Sequence, residues 1–409
     1  MLNMFTPTVK RPLPAPLQRR WWVAAALAAF CLLAGYVFLS VFVDIDYAKR
    51  WLLLATAALG LILWLLWRYL PLNHAAGETE PRRSLGPGNT LTVGRGLLMG
   101  LMAGFVGLPL PAGWLGWLPA FLYTAAAFID LFDGYAARRS GQNSRLGEIL
   151  DVEFDALGVL LAAALIVWYG KLPGWFLLLA AFRYFYMLGL NWRARRGLPT
   201  APLPDSVFRR RVAGIFMSFL TVLLWPIVPP PGTTVAAAVF CLPYAAVFLR
   251  DWLVSSRVID PTTAAYRRRW AQPARWLQAW LPLALRIGLA LFLVLNLIAG
   301  ARPAWGPFLQ TAFDLTSPTL LLSALNGATL IAFLLVCLGV LPHFSVLWLI
   351  LAAAADILGA ALTWLNGLLL AAACALALLG GGRLALWQPE HHGIYHHRMG
   401  EGRREKGKE

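Results

Sequence analysis

Long apolar runs alternate with short polar ones along almost the whole chain. Apolar segments fall at about 21–43, 51–70, 96–109, 113–132, 149–169, 173–191, 212–229, 233–250, 277–300, 318–341, 344–363 and 366–381. Most reach the ~20 residues that an α-helix needs to cross a bilayer. The pattern predicts an all-α polytopic membrane protein of about twelve transmembrane helices. Two polar stretches divide the array. The first, HAAGETEPRRSLGPGN (His74 to Asn89), is rich in Gly and Pro and reads as a module boundary. The second, Asp251 to Trp276, is charged and is expected to lie along the interface. The division is a two-helix extension with its linker (1–85), a six-helix core (86–255), a four-helix C-terminal module (256–385) and a basic tail (386–409).

Composition agrees with the pattern: 59% of residues are hydrophobic and only 13% are charged. The net charge of +16 would suit a nucleic-acid partner, but its placement argues otherwise. Lys10, Arg11, Arg19 and Arg20 precede the first segment, and Arg82, Arg83, Arg138, Arg139, Arg145 and the stretches 193–211 and 257–275 fall in alternate loops. The intervening loops, PLPAG, YGKLPG and PPPG, are short and poor in charge. By the positive-inside rule, both termini and the basic loops face the cytoplasm, as expected for a protein of the bacterial cytoplasmic membrane. No nucleic-acid partner is expected. The four cysteines lie inside apolar runs without a CxxC pair and read as packing residues.

Candidate chemistry is concentrated in DLFDGYAARRSGQNSRLGEILDVEFD, Asp130 to Asp155, which holds six of the 19 acidic residues. At helical spacing Asp130, Asp133, Gly134 and Ala137 share one face, and Gly147, Asp151 and Asp155 share another. Two such helices would bring four carboxylates together, a costly arrangement near a membrane unless cations neutralise it. Hard oxygen ligands suit Mg²⁺ or Mn²⁺, which favour carboxylates together with substrate phosphates. Two ions clamping a pyrophosphate would stabilise a phosphoryl-transfer transition state, and one carboxylate could take a proton from an attacking hydroxyl. Gly134, Ala137 and Gly147 would let a nucleotide approach the backbone, and Arg138 suits phosphate oxygens.

The pattern D-x2-D-G-x2-A-R-x8-G-x3-D-x3-D resembles the signature of the CDP-alcohol phosphotransferase (CDP-alcohol phosphatidyltransferase) family, with every fixed position present. Upstream, Asn89, Thr92 and Arg95 resemble the Asn-x-x-Thr-x-x-Arg element of that family's first core helix. The resemblance covers about residues 86–255. It implies metal binding by Asp130, Asp133 and Asp151, with Asp155 completing the site and acting as general base. It also implies a CDP pocket from Gly134, Ala137, Arg138 and Gly147, with Asn89 and Arg95 as further contacts. The reaction implied moves a phosphoalcohol, typically phosphatidyl, group from a CDP-alcohol donor lipid to an acceptor alcohol and releases CMP, a step of phospholipid biosynthesis. The sequence DVEFDAL around the last two aspartates matches neither the Asp-Pro-x-x-Asp-Lys pattern of glycerophosphate acceptors nor the Asp-His-Gly pattern of choline and ethanolamine enzymes, so the acceptor stays open.

Arg183, Arg193 and Arg209 are candidates for binding an anionic acceptor; Arg183 stands out because it interrupts an apolar stretch. In the C-terminal module, Arg286 and Asp356 sit within apolar spans and are expected to pair across helices. The tail residues His391, His392, His396 and His397 lack an acid or Cys to complete a metal site and read as part of a disordered basic tail. A polytopic transporter whose acidic cluster binds a cation is the alternative from another class, and a catalytically silent scaffold is a third. Oligomeric state stays open, with a homodimer among the options.

Overall fold

The structure, a computed structural model, describes residues 13–75, 77–78, 80–203, 206–226, 230–298, 305–313 and 319–387. The histidines of the tail lie outside the described residues. The described chain is helical: α1 (Ala15–Phe42), α2 (Ile45–Tyr69), α3 (Gly86–Ala103), α4 (Leu118–Arg139), α5 (Arg145–Trp168), α6 (Phe176–Ala180), α7 (Phe182–Arg195), α8 (Val207–Leu224), α9 (Pro230–Ser255), α10 (Ala264–Tyr266), α11 (Gln272–Ile298), α12 (Trp305–Phe313), α13 (Thr319–Leu338), α14 (Pro342–Ala360) and α15 (Trp364–Leu379).

Five described helical stretches are long and apolar enough to cross a membrane: Ala15–Phe42, Ile45–Leu72, Gly232–Ser255, Ala264–Ile298 and Leu320–Leu338. The helices that carry the signature are not among them. α5 is 24 residues long, yet it holds Asp151, Glu153 and Asp155. The segment expected at 173–191 is two helices, although hydrogen bonds from Ala181 N–H to Leu177 O and from Phe185 N–H to Ala181 O cross the junction. It is a local unwinding at Ala181. α12 is an addition, because nine residues fall below the length by which a span is recognised.

The chain divides into two compact units, the first holding α1–α7 and the second α9–α15, with the two halves of α8 in different units. The boundaries at 85/86 and 255/256 expected from polar linkers mark breaks in composition, whereas contacts group the helices differently.

In the first unit the extension and the signature helices share one core. Leu59, Ile62 and Leu66 of α2, Leu97 and Met99 of α3, and Leu150 and Phe154 of α5 are all buried in it. α3 packs against α2, α4 and α5. Its Gly96, Gly100 and Gly104 recur every four residues and form a groove. A Cβ would stand 2.8 Å from Phe154 at Gly96, 2.5 Å from Leu59 at Gly100 and 2.5 Å from Trp51 at Gly104. Such close approach maximises van der Waals contact between the helices. At the start of α2, Asp44 accepts from the backbone N–H groups of Asp46 and Tyr47. The Tyr47 N–H, chief among these donors, holds the Asp44 carboxyl below its usual range.

The second unit corrects one expectation. Arg286, buried on α11, does not pair with Asp356. Its guanidinium donates to the carbonyls of Val336 and Cys337 at the end of α13, and to those of Gly381, Arg383 and Leu384 after α15. Carbonyls in the last turn of a helix have no partner within it, and a cation there also meets the negative end of the helix dipole. Asp356 on α14 instead accepts from Asn366 Nδ2 at 3.0 Å, near the start of α15.

Candidate active site

Three helices of the first unit converge on the carboxylates. Asp130 and Asp133 lie one turn apart on α4, and Asp151 and Asp155 one turn apart on α5. The face of α3 that carries Asn89, Thr92 and Arg95, each three residues from the next, meets both. Arg95 is only 1% exposed and lies among the acids. Its Nη2 donates to Asp151 Oδ1 at 2.9 Å and to the Asp151 carbonyl at 3.4 Å. Its Nη1 donates to Asp155 Oδ1 at 3.1 Å and also contacts Asp130 Oδ1. Arg95 Nε is buried without a hydrogen-bond partner among the described residues.

One carboxylate oxygen from each of Asp130, Asp151 and Asp155 falls within 4.8 Å of the others. Three carboxylates around one guanidinium leave an excess of two negative charges, three minus one. Arg95 therefore softens the repulsion without cancelling it. Hard oxygen donors on two helices with an uncompensated charge of this size fit a divalent cation of the Mg²⁺ or Mn²⁺ kind. Asp133 does not join the set of three. It is buried, and its Oδ2 accepts from Thr92 Oγ1 at 3.0 Å.

The residues expected around a nucleotide separate into two groups. Asn89 Nδ2 donates to Ser144 Oγ at 2.8 Å and to Asn73 Oδ1 at 3.0 Å, so the amide is engaged inside the protein. Ser144 caps α5 by accepting from Gly147 N–H at 3.1 Å. A Cβ on Gly147 would lie 2.4 Å from Asn89 Oδ1, so this glycine leaves room for a protein side chain. Ala137 performs a similar service: a Cβ on Gly88 would stand 2.6 Å from the Ala137 methyl, and small residues bring α3 and α4 together. The Gly134 and Arg138 side-chain positions lie outside the described residues. Sequence reasoning named Asn89 and Arg95 but gave no role to Thr92, Asn73 or Ser144. Thr92 was legible from its place midway between the other two on one helical face, and Ser144 from its position just before an apolar run.

The acceptor candidates each have a partner within their own unit. Arg183 Nη2 lies 4.0 Å from Glu153 Oε1, Arg193 donates to the Pro199 carbonyl at 3.0 Å, and Arg209 lies 3.6 Å from Asp251. Asp251 also holds Arg250 at 3.0 Å. Glu153 thus bears on Arg183.

Residues 87–252 match the family model described as CDP-alcohol phosphatidyltransferase. Among curated proteins, the chain is 36% identical over 81 residues to a CDP-diacylglycerol--glycerol-3-phosphate 3-phosphatidyltransferase of Cereibacter sphaeroides, covering 19% of this chain and 37% of that protein. It is also 36% identical over 69 residues to proteins of the same name from Salmonella choleraesuis and Salmonella typhimurium, covering 16% of this chain and 38% of each. The matches thus span less than two fifths of the length of these relatives. No solved structure matches. The signature spacing, the clustered carboxylates and the family match coincide on one segment, and residues 87–252 form a domain of the CDP-alcohol phosphatidyltransferase family.

Proposed function

We propose that this protein is an integral membrane phosphatidyltransferase that moves the phosphatidyl group of a CDP-alcohol such as CDP-diacylglycerol to the hydroxyl of an acceptor alcohol, with release of CMP. The observation that carries the reading is the convergence of Asp130, Asp151 and Asp155 around Arg95 with a net negative charge. In this reading Asp130, Asp133, Asp151 and Asp155 hold one or two divalent ions, Mg²⁺ or Mn²⁺. Bound there, the cation supplies positive charge to the diphosphate of the donor. Asp155 takes the proton of the acceptor hydroxyl as its oxygen attacks the phosphorus of the phosphatidyl group. The phosphorus–oxygen bond to CMP breaks, and CMP carries away the bonding pair. Arg95 keeps Asp151 and Asp155 oriented on α5, while Thr92 orients Asp133.

The remaining parts of the reading rest on hydropathy and charge. Six helices, α3–α9 with α6 and α7 counted as one, form the catalytic core. About twelve helices span the membrane, and the basic loops put both termini and the carboxylates at the cytoplasmic face. The matched relatives are named for glycerol 3-phosphate as acceptor. Here Val152 and Ala156 stand where that acceptor pattern has Pro and Lys, so the donor half of the reaction is carried over and the acceptor is assigned only as an alcohol.

The test is CMP release by the purified full chain in detergent, with CDP-diacylglycerol, a panel of alcohols and alcohol phosphates, and Mg²⁺ or Mn²⁺. CMP release that needs both an acceptor and the cation is the expected result. No CMP with any acceptor, at any cation concentration, would overturn the proposal.

A further inference from the structure

The second unit contains a cavity of about 440 Å³ among α11, α13, α14 and α15, within the size range of small-molecule sites. Its walls are mostly apolar, with Phe292, Leu293, Phe333 and Leu369 facing it. Six polar side chains interrupt them, Asn296, Asn326, Thr329, Asp356, Thr363 and Asn366. Asn296 donates to the Phe292 carbonyl and Thr329 to the Leu325 carbonyl. Asn366 is committed to the protein. Its Nδ2 donates to Asp356 and to the Ala361 carbonyl, and its Oδ1 accepts from Thr363 N–H. Asn326 differs, for its Oδ1 is buried and has no hydrogen-bond partner among the described residues. An orphaned acceptor in an apolar wall is costly, and a ligand that donates to it removes the cost. The Asp356 carboxylate stands on the same wall and accepts from Asn366.

Two further features set this cavity apart from a packing fault. Ala361, whose carbonyl anchors Asn366, is held at φ 68° and ψ 169°, a backbone region that belongs almost only to glycine. The chain maintains a strained corner to keep this wall in place. Gly327, in the middle of α13, also lines the cavity, and a Cβ there would meet nothing within 4 Å. Glycine inside a helix weakens it, and here its effect is to keep volume empty. The rim residues Leu297, Leu330 and Leu365 are 59%, 39% and 58% exposed. Since α11 and α13 are of membrane-spanning length and composition, that apolar mouth opens to hydrocarbon.

We propose that this cavity is a binding site for a lipid-soluble molecule bearing a hydroxyl group, which reaches it laterally from the bilayer and donates its hydrogen bond to Asn326 Oδ1. The apolar mouth selects an oily body, and the orphaned Asn326 acceptor selects a donor at its head. The site is separate from the carboxylate cluster and does not depend on the reaction assigned to it.

The test is thermal unfolding of the full chain in detergent. Dioctanoylglycerol, which has one free hydroxyl, is compared with its acetylated triester, in which that hydroxyl is blocked. The alcohol is expected to raise the unfolding temperature in a concentration-dependent way, and the triester to leave it unchanged. Asn326→Leu should abolish the shift. Gly327→Leu fills the open space and favours the helix, so it should unfold at or above the wild-type temperature and give no shift with the alcohol. Absence of a shift with the alcohol, an equal shift with the triester, or a retained shift in Gly327→Leu would each overturn the proposal. Neither the CDP donor nor CMP enters this measurement, so its failure leaves the catalytic reading standing.

Discussion

Each unit buries an arginine among apolar helices, and the two are satisfied in opposite ways. Arg95 meets three carboxylates, whereas Arg286 meets only backbone carbonyls. A guanidinium ringed by carbonyl dipoles is a finished structural joint, with one charge spread over neutral acceptors at the end of α13. A guanidinium outnumbered by acids is unfinished, because negative charge is left over. A buried charge by itself does not mark a reactive centre; the sign and size of the remainder around it does.

The largest expected effect follows from that remainder. Chelation of divalent cations should abolish CMP release, and Mg²⁺ or Mn²⁺ should restore it. Full turnover in excess chelator would show that Arg95 alone suffices and would erase the contrast with Arg286. Next comes Asp155→Asn, which keeps the shape of the side chain and removes its charge. Transfer should fall by about 10²-fold or more while the protein remains folded by circular dichroism. A variant that turns over at the wild-type rate would remove Asp155 from the chemistry.

A third measurement sets the two arginines directly against each other. Arg95→Met leaves three acids without their internal cation, and without metal it should lose about 3–5 kcal/mol of stability. Added Mg²⁺ should then raise its unfolding temperature by more than it raises that of the wild type. Arg286→Met should lose about 1–3 kcal/mol by orphaning carbonyls, and its response to Mg²⁺ should match the wild type. Identical Mg²⁺ responses in all three proteins would mean that Arg95 and the cation do not compete for the same carboxylates. The smallest effect belongs to the joint at the start of α5. Ser144→Ala removes its cap and should cost about 1 kcal/mol in thermal or denaturant unfolding, with CMP release lowered only modestly.

The parts of the site that could be read from the chain were those written as spacing. Carboxylates three and four residues apart share a helical face, so the pairs Asp130/Asp133 and Asp151/Asp155 were legible in the chain. The expected meeting of all four was not met, because Asp133 accepts from Thr92 and only Asp130, Asp151 and Asp155 cluster. The direction of Arg95 was not legible, since its spacing from Asn89 and Thr92 is compatible with a nucleotide or with acids as partners. Asn89 shows the same limit: only the fold brings Ser144 and Asn73 to its amide. The expected pairing of Arg286 with Asp356 failed because the true partners of Arg286 are backbone carbonyls, which every residue carries and no sequence pattern reveals. The helical character of the chain was legible in its apolar runs, but the short α12 and the junction at Ala181 were not.

The glycine groove of α3 bears on what can be inherited or engineered as a module. The family match begins at residue 87, yet Leu59 and Trp51 of α2 fill the notches at Gly100 and Gly104. Cutting the chain at the polar linker would therefore bare a strip of backbone along the helix that holds Arg95. Lipid tails, which are mobile and cannot reproduce the fit of those side chains, would have to cover it. The portable piece of this protein is thus longer than its recognisable one and includes α2. A chimaera that transplants only the signature segment would need to bring its own substitute for the Leu59 and Trp51 side chains.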